Sequence, residues 1–169
     1  MEKKTENLDK EVSSAASDED LKEYLSFQVG QEDFAVDINS VVEIKAWTKP
    51  TRLPNVPNYL LGIINVRGVI LPIFDLKGRF GLGKTEVNQK KVIVFITSKE
   101  RTLGILVDGV SDIIKVTDAD VQPAPNVEGE IKDEFINGLV GSGGKMLVLL
   151  DTERLFEDDS LKKVEGIKG

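Results

Sequence analysis

The sequence predicts a mostly β protein built from two copies of one small five-stranded barrel, and three observations lead there. From Tyr24 onward, short runs of Val, Ile, Leu and Phe are interrupted at close intervals by Gly, Pro, Asn and Asp. Apolar and polar residues alternate within several of these runs, as on half-buried strands. The second half of the chain repeats the order of the first, and a duplicated unit of this size points to two packed copies of one fold. A small closed barrel would hide the edges of each unit; one large sandwich is the alternative that the strand count leaves open.

The elements follow in chain order. Residues 1–22 carry seven acids and four lysines with no sustained apolar stripe, which predicts a disordered acidic tail. Leu25, Phe27 and Val29 alternate with Ser26 and Gln28, Gly30 to Asp33 turns the chain, and Phe34 to Ile38 returns it as a hairpin. Asn39 or Ser40 can cap a short helical turn through Val41-Val42-Glu43-Ile44, ahead of a proline-bounded segment from Pro50 to Pro57. Leu60 to Val66, the turn Arg67-Gly68 and Val69 to Phe74 form a second hairpin, with Pro72 marking a sheet edge or a bulge.

The repeat is visible at a fixed offset. Phe34-Ala35-Val36-Asp37-Ile38-Asn39-Ser40-Val41-Val42-Glu43-Ile44 lies over Leu103-Gly104-Ile105-Leu106-Val107-Asp108-Gly109-Val110-Ser111-Asp112-Ile113. After a longer loop in the second copy, Gly62-Ile63-Ile64 and Gly68 to Asp75 lie over Gly138-Leu139-Val140 and Gly144 to Asp151. Gly141-Ser142-Gly143-Gly144-Lys145 then falls where the first copy has its hairpin turn.

Composition narrows the chemistry. The 169 residues include no cysteine and no histidine, which removes the thiol nucleophile, the imidazole acid/base and the usual ligands of zinc, copper and haem. No catalytic residue, metal or cofactor is expected. Twenty-nine acids against 22 bases leave a net charge of -7, the wrong sign for gripping a phosphate backbone, so no nucleic acid is expected as partner. The start Met1-Glu2-Lys3-Lys4-Thr5-Glu6 lacks the apolar stretch of a secretory signal, and no apolar run nears the roughly 20 residues of a spanning helix. A cytoplasmic protein without direct membrane insertion is expected.

One pattern argues the other way. Gly78-Arg79-Phe80-Gly81-Leu82-Gly83-Lys84-Thr85 satisfies G-x-x-x-x-G-K-[ST], the phosphate loop of nucleotide hydrolases, and nucleotide hydrolysis is the alternative function. That chemistry needs a helix after the loop to receive the phosphate on its N–H groups. Only Glu86 to Gln89 separate Thr85 from the β-patterned run Lys90 to Ile96, so a Gly/Lys linker between the two copies is the expectation. Glu157-Asp158-Asp159 has no glycine-punctuated ligand loop and reads as a solvated face. Glu43 with Asp37, and Asp108 with Asp112, recur as turn-capping acids and not as an acid/base pair. Arg67 stands apart: its repeat counterpart is Gly143, so the duplicated fold does not itself require a cation at that hairpin tip.

The stretch Gly62-Ile63-Ile64-Asn65-Val66-Arg67-Gly68-Val69-Ile70-Leu71-Pro72-Ile73-Phe74-Asp75-Leu76 resembles the most recognisable segment of the CheW family, the coupling proteins of bacterial chemotaxis. Val41-Val42-Glu43-Ile44, Pro54-Asn55-Val56-Pro57, Val107-Asp108-Gly109-Val110-Ser111-Asp112 and Gln122-Pro123-Ala124-Pro125 agree in order and spacing, so the resemblance runs from about Tyr24 to Phe156. Val66 stands where leucine is common, and Lys45-Ala46 where arginine-glycine is common.

This resemblance implies two intertwined five-stranded SH3-like barrels over residues 23–157. Barrel 1 would span about 23–85 with a C-terminal segment added, barrel 2 about 90–150, and 158–169 would be a tail. It implies a non-enzymatic adaptor, part of a two-component system. The adaptor would join the cytoplasmic tips of chemoreceptors (methyl-accepting chemotaxis proteins) to the regulatory domain of the chemotaxis histidine kinase CheA, at membrane-associated receptor arrays. Matched by position, Val41, Glu43, Ile44, Gly62, Arg67 and Val92 resemble the receptor-binding set. Gly104, Val107, Gly109, Val110 and Ile113 resemble the kinase-binding set.

Overall fold

The computed structural model describes residues 21–124 and 133–156. The tail before Leu21, Pro125 and the acidic run from Glu157 lie outside the described residues. Ten strands carry the fold: β1 (Leu21–Val29), β2 (Glu32–Asp37), β3 (Val41–Ala46), β4 (Leu60–Val66), β5 (Val69–Asp75), β6 (Val92–Ser98), β7 (Arg101–Val107), β8 (Gly109–Thr117), β9 (Ile136–Ser142) and β10 (Lys145–Leu150). Two four-residue helices, α1 (Leu76–Arg79) and α2 (Thr152–Leu155), follow β5 and β10 at equivalent places in the two copies.

The strands form two five-stranded sheets, ordered β8-β1-β2-β10-β9 and β3-β6-β7-β5-β4. Replacing each strand by its counterpart five places along turns the first order into the second. The copies therefore exchange strands: β1 and β2 complete the sheet of β8 to β10, while β6 and β7 complete that of β3 to β5. A cut between residues 85 and 90 separates the copies but not the sheets, so the contiguous ranges 23–85 and 90–150 do not each describe one sheet. The exchange is forced by pairing: β2 lies parallel to β10 and β5 parallel to β7, and strands close in sequence cannot form parallel ladders without a crossover.

The repeat extends to irregularities. Val42 is the extra residue where the β3–β6 register shifts, and its counterpart Ser111 is the extra residue where β8 shifts against β1. Leu61 and Asn137 are the matching pair in the β4–β5 and β9–β10 hairpins. Bridges Thr51–Ile63 and Gln122–Leu139 tie the long loop of each copy to the same point on its hairpin.

Alternating side chains build three cores. Ile64, Leu71 and Ile73 fill the inside of one sheet with Ile93, Phe95 and Leu106; their counterparts Val140, Leu147 and Leu149 fill the other with Ala35 and Val116. The third core lies between the sheets and draws on both, with Phe27, Phe34, Phe74, Phe80, Phe135 and Phe156 at its centre. Each fully buried large side chain there contributes about 1.5–3 kcal/mol, and the Arg79 guanidinium lies 5.1 Å from the Tyr59 ring centre and 4.8 Å from that of Phe135.

Four local expectations differ from the structure. Leu21 and Lys22, assigned to the tail, pair with Thr117 and Val116 as the start of β1. Val41 to Ile44 is strand β3 and not a helical turn, because three β-branched residues favour the extended form and β6 offers a ladder. The helical turn comes earlier, at Ile38–Ser40, where the Asp37 carboxylate accepts from the Asn39 N–H. Pro72 lies in an inner strand, yet the β5–β7 ladder begins only at Ile73, so its missing N–H costs no bond there.

Candidate functional site

β3 and β4 are the outer strands of one sheet, and a side chain of the β4–β5 turn reaches β3. Arg67 and Gly68 have φ of 53° and 89°, the left-handed pair that a tight two-residue hairpin requires. The Asn65 side chain accepts from the Gly68 N–H at 2.8 Å and fixes the turn. Arg67 then projects its guanidinium onto Glu43 of β3, Nη2 to Oε1 at 2.5 Å. The hydrogen bond from Arg67 holds the Glu43 carboxyl below the usual carboxylate range. Around this pair Val42, Ile44, Val69 and Ile70 are exposed, each between 47% and 57%.

The receptor-type residues divide here. Glu43, Ile44 and Arg67 meet at the outer edge. Val41 and Val92 are half-buried against the core between the sheets, so each offers only part of its side chain to that edge. Gly62 is buried with φ of 146°, and a Cβ on it would stand 2.2 Å from the Thr51 carbonyl oxygen. Its counterpart Gly138 is also tight against Val121 and Gln122, so the small residue serves the loop-to-hairpin contact of both copies.

The kinase-type residues divide in the same way. Ile113 on β8 is 56% exposed, with Gly109 and Val110 half-buried beside it. Gly104 and Val107 are buried within β7. A Cβ on Gly104 would come within 2.7 Å of both Ile73 and Ile93, and its counterpart is the fully buried Ala35. Both residues therefore support the surface from inside instead of forming it.

Sequence matching missed Val42, Val69, Ile70 and Met146, four exposed apolar residues flanking the same features. The signal was present: three lie within two residues of a hairpin turn, and Val42 is the bulge residue of an outer strand, where pairing leaves a side chain facing outward.

The phosphate-loop match has no supporting geometry. The helix near it, α1, precedes the lysine and threonine, and the next element after Thr85 is β6. Thr85 is buried and engaged: its hydroxyl donates to Asp75 Oδ1 at 2.6 Å and its N–H to Oδ2 at 2.9 Å. Asp108 is likewise structural, accepting from Lys91 Nζ and from the Gly30 N–H, each at 2.6 Å. Burial alone would push its carboxyl up, but these two donors outweigh that and hold it below its ordinary value. Among the described residues, no group of three acids could hold a metal ion, and no helix is long and apolar enough to cross a membrane.

Comparison with known proteins agrees with the fold. The family model described as the CheW-like domain matches residues 23–160. The chain is 38% identical over 138 residues to a chemotaxis protein CheW of Rhizobium meliloti, covering 82% of this chain and 89% of that one. It is 34% identical over 156 residues to a chemotaxis protein CheW of Klebsiella aerogenes, covering 92% and 94%. The crystal structure of the scaffolding protein TtCheW from Thermoanaerobacter tengcongensis superposes with a TM-score of 0.75 at 31% identity, covering 82% of this chain and 90% of that one. With two strand-exchanged sheets and relatives matched over most of their length, the chain belongs to the CheW-like family and is a chemotaxis coupling adaptor.

Proposed function

We propose that the protein holds two partners at once, the cytoplasmic tip of a chemoreceptor on the β3 and β4–β5 edge and the regulatory domain of the chemotaxis kinase on the β8 edge. The observation that carries this reading is the presence of exposed apolar residues on the outer strand and hairpin of two different sheets: Val42 and Ile44 on β3 with Val69 and Ile70 after the β4–β5 turn, and Ile113 on β8 with Met146 after the β9–β10 turn. A receptor tip presents helices, and an apolar face on a helix fits an apolar edge, with Glu43 and Arg67 setting register through charge. The kinase would meet the second edge through a like apolar surface with polar surroundings. This places the protein at membrane-associated receptor arrays through its partners.

Ile44→Asp and Ile113→Asp test the division. Each puts a charge into one edge at an already exposed position, so both variants keep the fold. Titration against a receptor cytoplasmic fragment and against the kinase regulatory domain should show Ile44→Asp losing the receptor fragment and Ile113→Asp losing the kinase domain. Equal loss of both partners by both folded variants would refute the two-edge assignment.

A further inference from the structure

The two edges are built on one plan and differ in charge at the hairpin turn. Val41, Val42, Glu43 and Ile44 correspond to Val110, Ser111, Asp112 and Ile113, down to the bulge residue ahead of the acid. Ile70 corresponds to Met146, and both are exposed, at 47% and 50%. The hairpin turns also correspond, Arg67-Gly68 with φ of 53° and 89°, Gly143-Gly144 with φ of 60° and 80°. On the first edge the turn supplies the cation that pairs with the acid. On the second edge the turn is glycine, and among the described residues no cation lies within ion-pair distance of Asp112. Lys145, the cation nearest in sequence to that turn, lies 3.8 Å from Asp33 instead. The backbone around Asp112 is held firmly, since the Ser26 hydroxyl bonds both its N–H and its carbonyl at 3.1 Å. An exposed acid on a held backbone thus stands beside the exposed Ile113, without the internal cation that Glu43 has.

We infer that Asp112 is a socket for a cation carried by the partner, an arginine or lysine flanked by apolar residues, which takes the place that Arg67 takes on the first edge. This rests on the reading of β8 as the kinase-facing edge, and it names the partner chemistry that edge selects. Arginine fits best, because its planar fork can hold a carboxylate while its apolar flanks rest on Ile113.

The fold offers its own test. Gly143→Arg transplants the clamp: φ of 60° is close to that of Arg67, and a Cβ there meets nothing within 4 Å. An arginine at 143 would pair with Asp112 internally and leave the partner's cation unmatched. Affinities of the wild type, Asp112→Asn, Gly143→Arg and Ile113→Asp for the kinase regulatory domain are measured by calorimetry at low and high salt, with circular dichroism confirming the fold. Asp112→Asn and Gly143→Arg should each weaken binding by about tenfold or more and flatten its salt dependence, and the double variant should lose little beyond either single one. Asp112→Asn is nearly isosteric and decides the matter alone if Gly143→Arg does not fold. Wild-type affinity in Asp112→Asn, with binding lost in Ile113→Asp, overturns the socket while leaving the kinase-facing edge in place. Wild-type affinity in Ile113→Asp as well overturns both.

Discussion

Glu43 and Arg67 are 24 residues apart in the chain, and their 2.5 Å contact joins the two outer strands of one sheet. A sheet ordered β3-β6-β7-β5-β4 leaves two open edges when flat. This pair forms only because the sheet curls until its ends approach. The same contact that marks closure also lies among four exposed apolar residues, so the seam of the barrel coincides with the proposed receptor edge.

Arg67 is held in the left-handed region by its turn, where glycine sits more easily. Arg67→Gly should therefore leave Tm within about 3 °C of the parent or raise it, while weakening capture of a receptor fragment. Thermal melts and pull-downs on one preparation check both halves. A large drop in Tm would show that the arginine serves the fold.

Gly104 and Gly62 should lose partner binding only together with the fold. Gly104→Val drives a side chain into Ile73 and Ile93 at separations no packed core tolerates, costing about 1–3 kcal/mol or more. Urea unfolding should shift to lower midpoint for Gly104→Val and for Gly62→Ala, whereas Ile113→Asp should unfold like the wild type.

The Asp108 carboxyl has a folded pKa below its unfolded value, so its contribution is complete above about pH 4 to 5 and fades as pH falls through the folded pKa. Asp108→Asn should lower Tm by about 3 °C at neutral pH, and the gap between variant and wild type should narrow as pH falls through the depressed folded pKa. A gap that stays constant across that range would mean the carboxylate is not the source.

Asp75 and Thr85 hold the segment between the copies, and both are buried. Asp75→Ala should destabilise the protein by about 1–3 kcal/mol, because the Thr85 donors lose their acceptor away from water. Lys84→Ala should be neutral, and millimolar ATP should leave Tm unchanged for every variant. A saturable rise that vanishes in Lys84→Ala would restore the nucleotide reading.

The strand content, the repeat and the hairpin tip were legible because each depends on local pattern: alternation at Leu25, Phe27 and Val29, glycines at turns, one offset relating Val41 to Val110. Strand exchange had no local signature and came only through the family resemblance, which implied intertwined barrels, since pairing of β2 with β10 joins residues more than a hundred positions apart. Burial separated residues that motif matching had grouped. Val107 and Ile113 fall in one matched stretch, but Val107 faces the core between the sheets and Ile113 faces outward on the next strand. Asp75 explains the misleading phosphate-loop pattern: its threonine is retained as a hydrogen-bond donor to a buried acid, a need unrelated to nucleotides.

Strand exchange also orders events in time. β1 and β2 are the first strands to be synthesised, yet the neighbours that complete their sheet are β8, β9 and β10, the last. Neither core within a sheet can close while the chain is still half made, and the early strands must wait with their apolar faces uncovered. A ribosome-bound first copy therefore has neither sheet complete: the sheet of the β3 edge gains its last strand with β7, and that of the β8 edge only with β9 and β10, so the two partner-facing edges mature in that order.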